Sequence, residues 1–429
     1  MKPFLALLSA SAAALVVATP ALAADAFDPA MVAKGAQLAA LGNCGTCHTA
    51  EGGKPYAGGR ALQTPVGVIY STNITPDAET GIGRWTESDF LRAMHEGIDR
   101  DGRELYPAFP YDHFTKVYDD DVRALYAFVM TRAPVRVASR PRNDVKLFAK
   151  FRSSIVIWKT LHFRPGRFVA DATKDAQWNR GAYLAEGLAH CGACHTPRNV
   201  FGAKQDQRAY DGGDIDEWLA PAINAQSPAP LPWTADQLFR YLRDGHDPSH
   251  GTATGPMRDV VRNLATVSAD DVRAIAVYFA ARMQRTRSPS DSTSLSSERQ
   301  EFSAVAGQGK DAPHARDGSV DIGAVIFEGA CATCHYAGTG LLATKPVPLA
   351  LTTSVNASDP RNLIHIVQNG IWPERSDKGA LMPGFGAELT DDQVIALVNY
   401  VRARFSRQPP WRDAANDVRS LRAASEDKK

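Results

Sequence analysis

The chain has 429 residues, 44% of them apolar, and 48 Lys and Arg against 47 Asp and Glu. So even a balance gives no broad basic field and excludes nucleic acid as a partner, while the apolar fraction is enough for packed cores. A chain this long exceeds one small core and calls for roughly two to four domains.

The first residues, "MKPFLALLSASAAALVVATPALAADAF", carry one Lys, an apolar run and small residues at Ala21 and Ala23. That order is a secretory signal peptide over residues 1–23, cut before Ala24, and its apolar core is too short for a membrane anchor. The first unit spans 24–132. Asp28 and Pro29 start a helix that leads into "CGTCH" at 44–48. A second helix, "TESDFLRAMHEG", opens with a capping box of Thr86 and Asp89 and stops at Gly97. The loop "LYPAFPYDHFTKV" and a third helix, "DDVRALYAFVM", close the unit.

Residues 133–175 contain "KLFAKFRSSIVIWKTLHF", too apolar for a free linker. Cover for an inter-domain seam is favoured over a membrane-surface element built on Trp158, Phe163 and basic residues. The second unit, 176–283, repeats the plan: a helix into "CGACH" at 191–195, a helix boxed by Thr234 and Gln237 that ends at Gly245, then "DDVRAIAVYFA". Residues 284–318 are polar and Ser-rich, a tether. The third unit, 319–407, has "CATCH" at 331–335, a helix stopping at Gly370, and "DDQVIALVNYV"; a polar tail occupies 408–429. Aligning Asp121, Asp271 and Gln393 superposes Phe128, Tyr278 and Tyr400 on the apolar face, where they serve core packing.

All six cysteines fall in these three frames. Three disulfides, or zinc, are the plain alternatives for an exported chain, but the pairs lie far apart and each has its own His attached. C-x-x-C-H is the attachment frame of c-type haem: the two thiols form thioethers with the porphyrin edge and the His binds the iron. Cys44, Cys47, Cys191, Cys194, Cys331 and Cys334 are therefore the expected attachment points of three covalent haems. His48, His195 and His335 are the expected proximal ligands. A second axial ligand in such proteins is commonly a Met on the loop before the last helix. Met257 and Met382 stand there in units two and three. Unit one has Phe109 instead, which cannot bind iron. His113 is the best substitute on that loop, with an open iron or a merely structural His113 as the alternatives.

The stretches "TNITPDAETGIGRWTESDF" (72–90), "LYPAFPYDHFTKV" (105–117), "WNRGAYLAEGLAHCGACHTPRN" (178–199) and the late "MPGF" closely resemble the tri-haem cytochrome c subunits of bacterial periplasmic dehydrogenase complexes. The resemblance implies an all-α fold of three tandem class-I-like cytochrome c domains with irregular loops and linkers. It also implies a separate catalytic subunit of quinoprotein, flavin or molybdenum type, with quinone or a terminal oxidase as acceptor. Phe109 departs from the alcohol dehydrogenase pattern and tilts the expected partner toward a molybdenum hydroxylase. The expected location is the periplasm, with peripheral attachment to the inner membrane left open. Two functions follow: electron transfer for a dehydrogenase, or a haem peroxidase or reductase with an open iron in unit one and His95, His113 or Glu96 beside it.

Overall fold

The computed structural model describes residues 27–139, 141–284, 320–335, 348–372 and 381–426; the signal-like stretch 1–23 and almost all of the tether 284–318 lie outside them. Helices dominate. In unit one they are α1 (Pro29–Leu41), α2 (Glu87–Glu96) and α3 (Asp119–Met130), followed by α4 (Arg152–His162). Unit two has α5 (Ala176–Glu186), α6 (Ala235–Asp244), α7 (Met257–Leu264) and α8 (Ala269–Met283). Unit three has α9 (Ile322–Ile326), α10 (Arg361–Asn369), α11 (Asp391–Phe405) and α12 (Ala414–Glu426).

The helix ends follow from their residues. Asp28 accepts the Ala30 N–H at 3.1 Å, and Pro29 occupies the first turn, where its missing N–H costs nothing. Thr86 with Asp89 and Thr234 with Gln237 form reciprocal capping boxes. A third box, Thr390 with Gln393, starts α11. Helices α2 and α6 stop at Gly97 and Gly245, both left-handed, with φ 67° and 75°.

Three helix crossings repeat one geometry. A β-carbon on Gly35 would stand 2.0 Å from the Ala124 carbonyl oxygen, on Gly181 2.0 Å from that of Ala274, and on Gly323 2.3 Å from that of Ala396. Only glycine lets α1 reach α3, α5 reach α8 and α9 reach α11 this closely. The next neighbours at the three crossings are the β-carbons of Phe128, Tyr278 and Tyr400, so the alignment read from the sequence is the one the backbones adopt.

The cores do not divide into thirds. One cluster runs through units one and two, joining Leu41, Val117 and Leu125 to Leu184, Leu188 and Tyr278. Unit three has its own, around Phe327, Ile364, Val398 and Phe405. This second cluster includes Trp411, Ala414, Val418 and Leu421, which corrects the expectation of a polar tail. Ala414, Val418 and Leu421 recur at helical spacing, so α12 turns one apolar face onto α11. Arg402 lies 4.5 Å over the Trp411 ring and helps fix the joint.

Small sheets interrupt the expected irregular loops. Strands β1 (Ala61–Thr64) and β2 (Gly67–Tyr70) form an antiparallel hairpin, and β3 (Asp144–Val145) joins it from the 133–175 segment. The hairpin β4 (Gly213–Ile215) and β5 (Trp218–Ala220) turns through Asp216 and Glu217, both at positive φ. Such a two-residue turn matches the twist of its strands but is strained for residues other than Gly, Asn or Asp.

Candidate functional site

Each Cys/His frame sits on a short helical turn: Cys44–His48, Gly192–His195 and Ala332–His335. In unit three a π-helical stretch, Phe327–Cys331, delivers the chain to it. All six cysteines are free thiols, with no disulfide among them. Burial pushes Cys44 and Cys191 up to about 12 and Cys331 up to about 11, each raised further by the second thiol of its frame. A thiol redox centre draws on the opposite shift, a thiol lowered toward thiolate. Among the described residues no three His, Cys, Asp or Glu side chains converge as a metal cluster.

The histidines are set as iron ligands would be. His48 places Nδ1 2.6 Å from the Thr72 carbonyl oxygen, and His195 places Nδ1 2.7 Å from that of Pro221. A proton on Nδ1, donated to the carbonyl, fixes the tautomer and leaves the Nε2 lone pair for a metal. Burial lowers the pKa of both imidazoles, which keeps them neutral. Nδ1 of His335 is buried and finds no partner among the described residues.

Beside His195 and His335, but not His48, lies an apolar cavity of about 420 Å³. Its walls include Cys191, Cys194, His195 and Met257 from unit two and Cys331, Cys334, His335 and Met382 from unit three. The two predicted ligand sets thus open into a single space. Met257 reaches it because Pro256 caps α7, and Met382 because its backbone pairs with Ile371. The residues fit haem: paired thiols, an oriented imidazole and a thioether around a dry hollow of ligand size.

Unit one differs at the same point. Its loop is closed by Leu105 N–H on Gly97 O, as Ala253 N–H on Gly245 O closes that of unit two, and Phe109 and Met257 each fall four residues later. Phe109 packs on Phe114, with ring centroids 5.2 Å apart. His113 was expected over the first motif, but the structure sets it against the second. Its Nδ1 lies 2.9 Å from the Glu186 carbonyl oxygen, and a β-carbon on Gly192 would meet its Cε1 at 3.1 Å. Its Nε2 is buried without a partner among the described residues, and burial lowers its pKa to about 3. The cause is a reciprocal seam in which each of the two units reaches the other's motif. Asn263 of unit two reaches the first motif, donating to Oδ1 of Asn43, just before it, at 2.7 Å and to Thr46 Oγ1 at 3.0 Å.

Sequence reading missed Asn43, Thr46 and Asn263 because asparagine and threonine near a motif look like ordinary loop residues. It also missed a clasp between units two and three. Asn362 accepts Leu219 N–H at 2.9 Å and donates to Leu219 O at 2.8 Å. His365 stacks on Trp218 with ring centroids 4.4 Å apart, and Arg361 pairs with Asp214. No local pattern in the sequence marks these partners.

Two family models match: "Cytochrome c" over residues 32–133, and "Cytochrome C oxidase, cbb3-type, subunit III" over 318–401. Over 92% of its length the chain is 44% identical to a nicotinate dehydrogenase subunit of Pseudomonas putida, and it spans only 32% of that relative. It is 36% identical to the gluconate 2-dehydrogenase cytochrome c subunit of Pantoea cypripedii, covering 95% of this chain and 94% of that one. It is 34% identical to the cytochrome c subunit of the quinone alcohol dehydrogenase of Gluconobacter oxydans, covering 97% and 87%. With two relatives matched over nearly their whole lengths and the thiol and imidazole pattern in place, the chain belongs to the family of cytochrome c subunits of dehydrogenase complexes.

Proposed function

We propose that the chain holds three covalent c-type haems, one in each of three cytochrome c domains, and carries electrons from a dehydrogenase catalytic subunit to quinone or a terminal oxidase. The observation that carries this reading is the shared cavity, into which two Cys/His frames and two methionines open. Haem supplies the one-electron chemistry; the protein attaches it, orients His48 and His195 through backbone carbonyls, and keeps water out. Cys44, Cys47, Cys191, Cys194, Cys331 and Cys334 would be the attachment points, His48, His195 and His335 the proximal ligands, and Met257 and Met382 the distal ones.

The partner we favour oxidises an N-heterocycle at a molybdenum centre. The 44% identity to a nicotinate dehydrogenase subunit supports it, and so does Phe109 at the place of the first methionine. The leader at 1–23 supports a periplasmic location. The reading of unit one as a peroxidase or reductase finds no proton donor in His95. Its Nδ1 accepts from Arg167 at 2.5 Å and its Nε2 donates to Val117 O at 3.0 Å, so both nitrogens are spent on structure.

Haem count and a redox titration of the purified chain test the proposal. Three haems per chain are expected, with the one in unit one at the lowest potential because thioether sulfur favours ferrous iron and Phe109 supplies none. Two haems, or three equal high potentials, would count against it.

A further inference from the structure

In the first two Cys/His frames a guanidinium bonds the carbonyl just before the second cysteine. Arg60 Nη1 donates to Thr46 O at 3.0 Å, and Arg198 Nη2 donates to Ala193 O at 3.1 Å. Thr46 and Ala193 hold equivalent places, directly before Cys47 and Cys194. The arginines do not. Arg60 stands twelve residues after His48 and Arg198 three after His195, so the two units reach the same atom from different points of the repeat.

Both side chains are held in place. Arg60 N–H donates to Ser71 Oγ at 3.0 Å and Arg60 O accepts the Ser71 N–H at 2.9 Å, beside Thr72, whose carbonyl orients His48. Arg198 also donates to Gly202 O at 2.7 Å. Neither guanidinium lies within ion-pair distance of a carboxylate among the described residues. The last carbonyls of so short a helix have no partner inside it, so each bond caps its frame. A neutral amide could do as much, but the charge reaches further. Burial pushes the Cys47 and Cys194 thiols up, and Arg60 and Arg198 pull them back, each more strongly than any one carboxylate pushes the same thiol up.

We infer that Arg60 and Arg198 set the potentials of the haems proposed for the first and second frames, each by fixing a positive charge beside the cysteines that attach the porphyrin. Ferric haem carries one more positive charge than ferrous haem, so a cation held there disfavours the ferric form and raises the potential. Arg60 is half-buried and Arg198 is exposed, so water and salt screen Arg198 more and the larger effect belongs to unit one. The inference rests on the haem reading above and can fail without it.

The test is a spectroelectrochemical titration of the haem-loaded chain and of Arg60→Gln, Arg60→Lys and Arg198→Gln, with haem content measured alongside. Arg60→Gln should shift the lowest potential downward, moving that haem's equilibrium about tenfold toward ferric, or about 59 mV for one electron. Arg198→Gln should move a different haem about threefold in the same direction. Arg60→Lys, which keeps the charge, should stay close to the native potential, and both shifts should shrink as salt rises. Arg198 is exposed, so Arg198→Gln decides by itself if Arg60→Gln does not take up haem. Unchanged potentials in haem-loaded Gln variants overturn the inference and leave the haem reading standing, even where the unfolding midpoint drops, because the arginines are then caps alone. A fall in Arg60→Lys as large as in Arg60→Gln overturns it too, since bond geometry rather than charge is then responsible. A native chain with no haem at these frames overturns the haem reading and this inference together.

Discussion

The first and second units meet through hydrocarbon, the second and third through polar bonds. At the first seam, Leu41 and Leu188 are 0% and 1% exposed in one continuous core. A β-carbon on Gly42 would already touch Leu188, at 3.1 Å. Around that seam Tyr183 donates to Asp121 at 2.6 Å, and Glu186 takes both the Lys116 ammonium and the Tyr278 hydroxyl, each at 2.7 Å. At the second junction the cores stay separate, and the hairpin β4–β5 grips α10 through Asn362, Trp218 and Arg361. Burial of apolar surface is cooperative over the whole cluster, whereas half-exposed hydrogen bonds and ion pairs each contribute little. Units one and two should therefore unfold together and unit three on its own.

The sharpest way to break that comparison is to delete attachment points. Cys191→Ala with Cys194→Ala should abolish one haem and bring down the cooperative transition of both fused units. Cys331→Ala with Cys334→Ala should cost one haem and leave that transition in place; haem stoichiometry with calorimetry tells them apart. Leu188→Ala comes next. It leaves a cavity at the seam and should cost about 3 kcal/mol of the fused transition, read by denaturant titration.

Acid sharpens the contrast further. Burial, with Arg167 alongside, lowers His95 to about 4, against an ordinary 6.5. The unfolded chain binds this proton first, so the neutral imidazole's contribution is complete above pH 6.5 and falls away as the pH drops toward 4. The fused transition should weaken across that window, and His95→Gln should flatten the slope. The smallest effect is Asn362→Ala. Loss of its paired hydrogen bonds to Leu219 should cost about 1 kcal/mol, visible as earlier release of unit three in a denaturant titration.

Much of this was legible in the residues. The three Cys/His frames, the helix boxes at Thr86 and Thr234, the stops at Gly97 and Gly245, and the register of Phe128, Tyr278 and Tyr400 all follow from local chemistry that acts within one or two helical turns. The fused core did not, because Leu41 and Leu188 would look the same whether they packed within their own units or against each other. His113 is misplaced by the sequence for a related reason. Its loop position is plain, but the residue receiving it, Gly192, comes from the next repeat. The tail could have been found: Ala414, Val418 and Leu421 mark one helical face, outweighed in composition by the charges between them.

Ile215, Trp218, Leu219 and Ala220 do two things at once: they form the hairpin that grips α10, and they wall the chamber shared by the second and third Cys/His frames. Latch and gasket are the same few side chains. Prying the last unit loose would open that chamber to water and raise its dielectric, which would favour the ferric form of any haem held there as proposed. The wire would then fail by wetting before any of its stations had been lost.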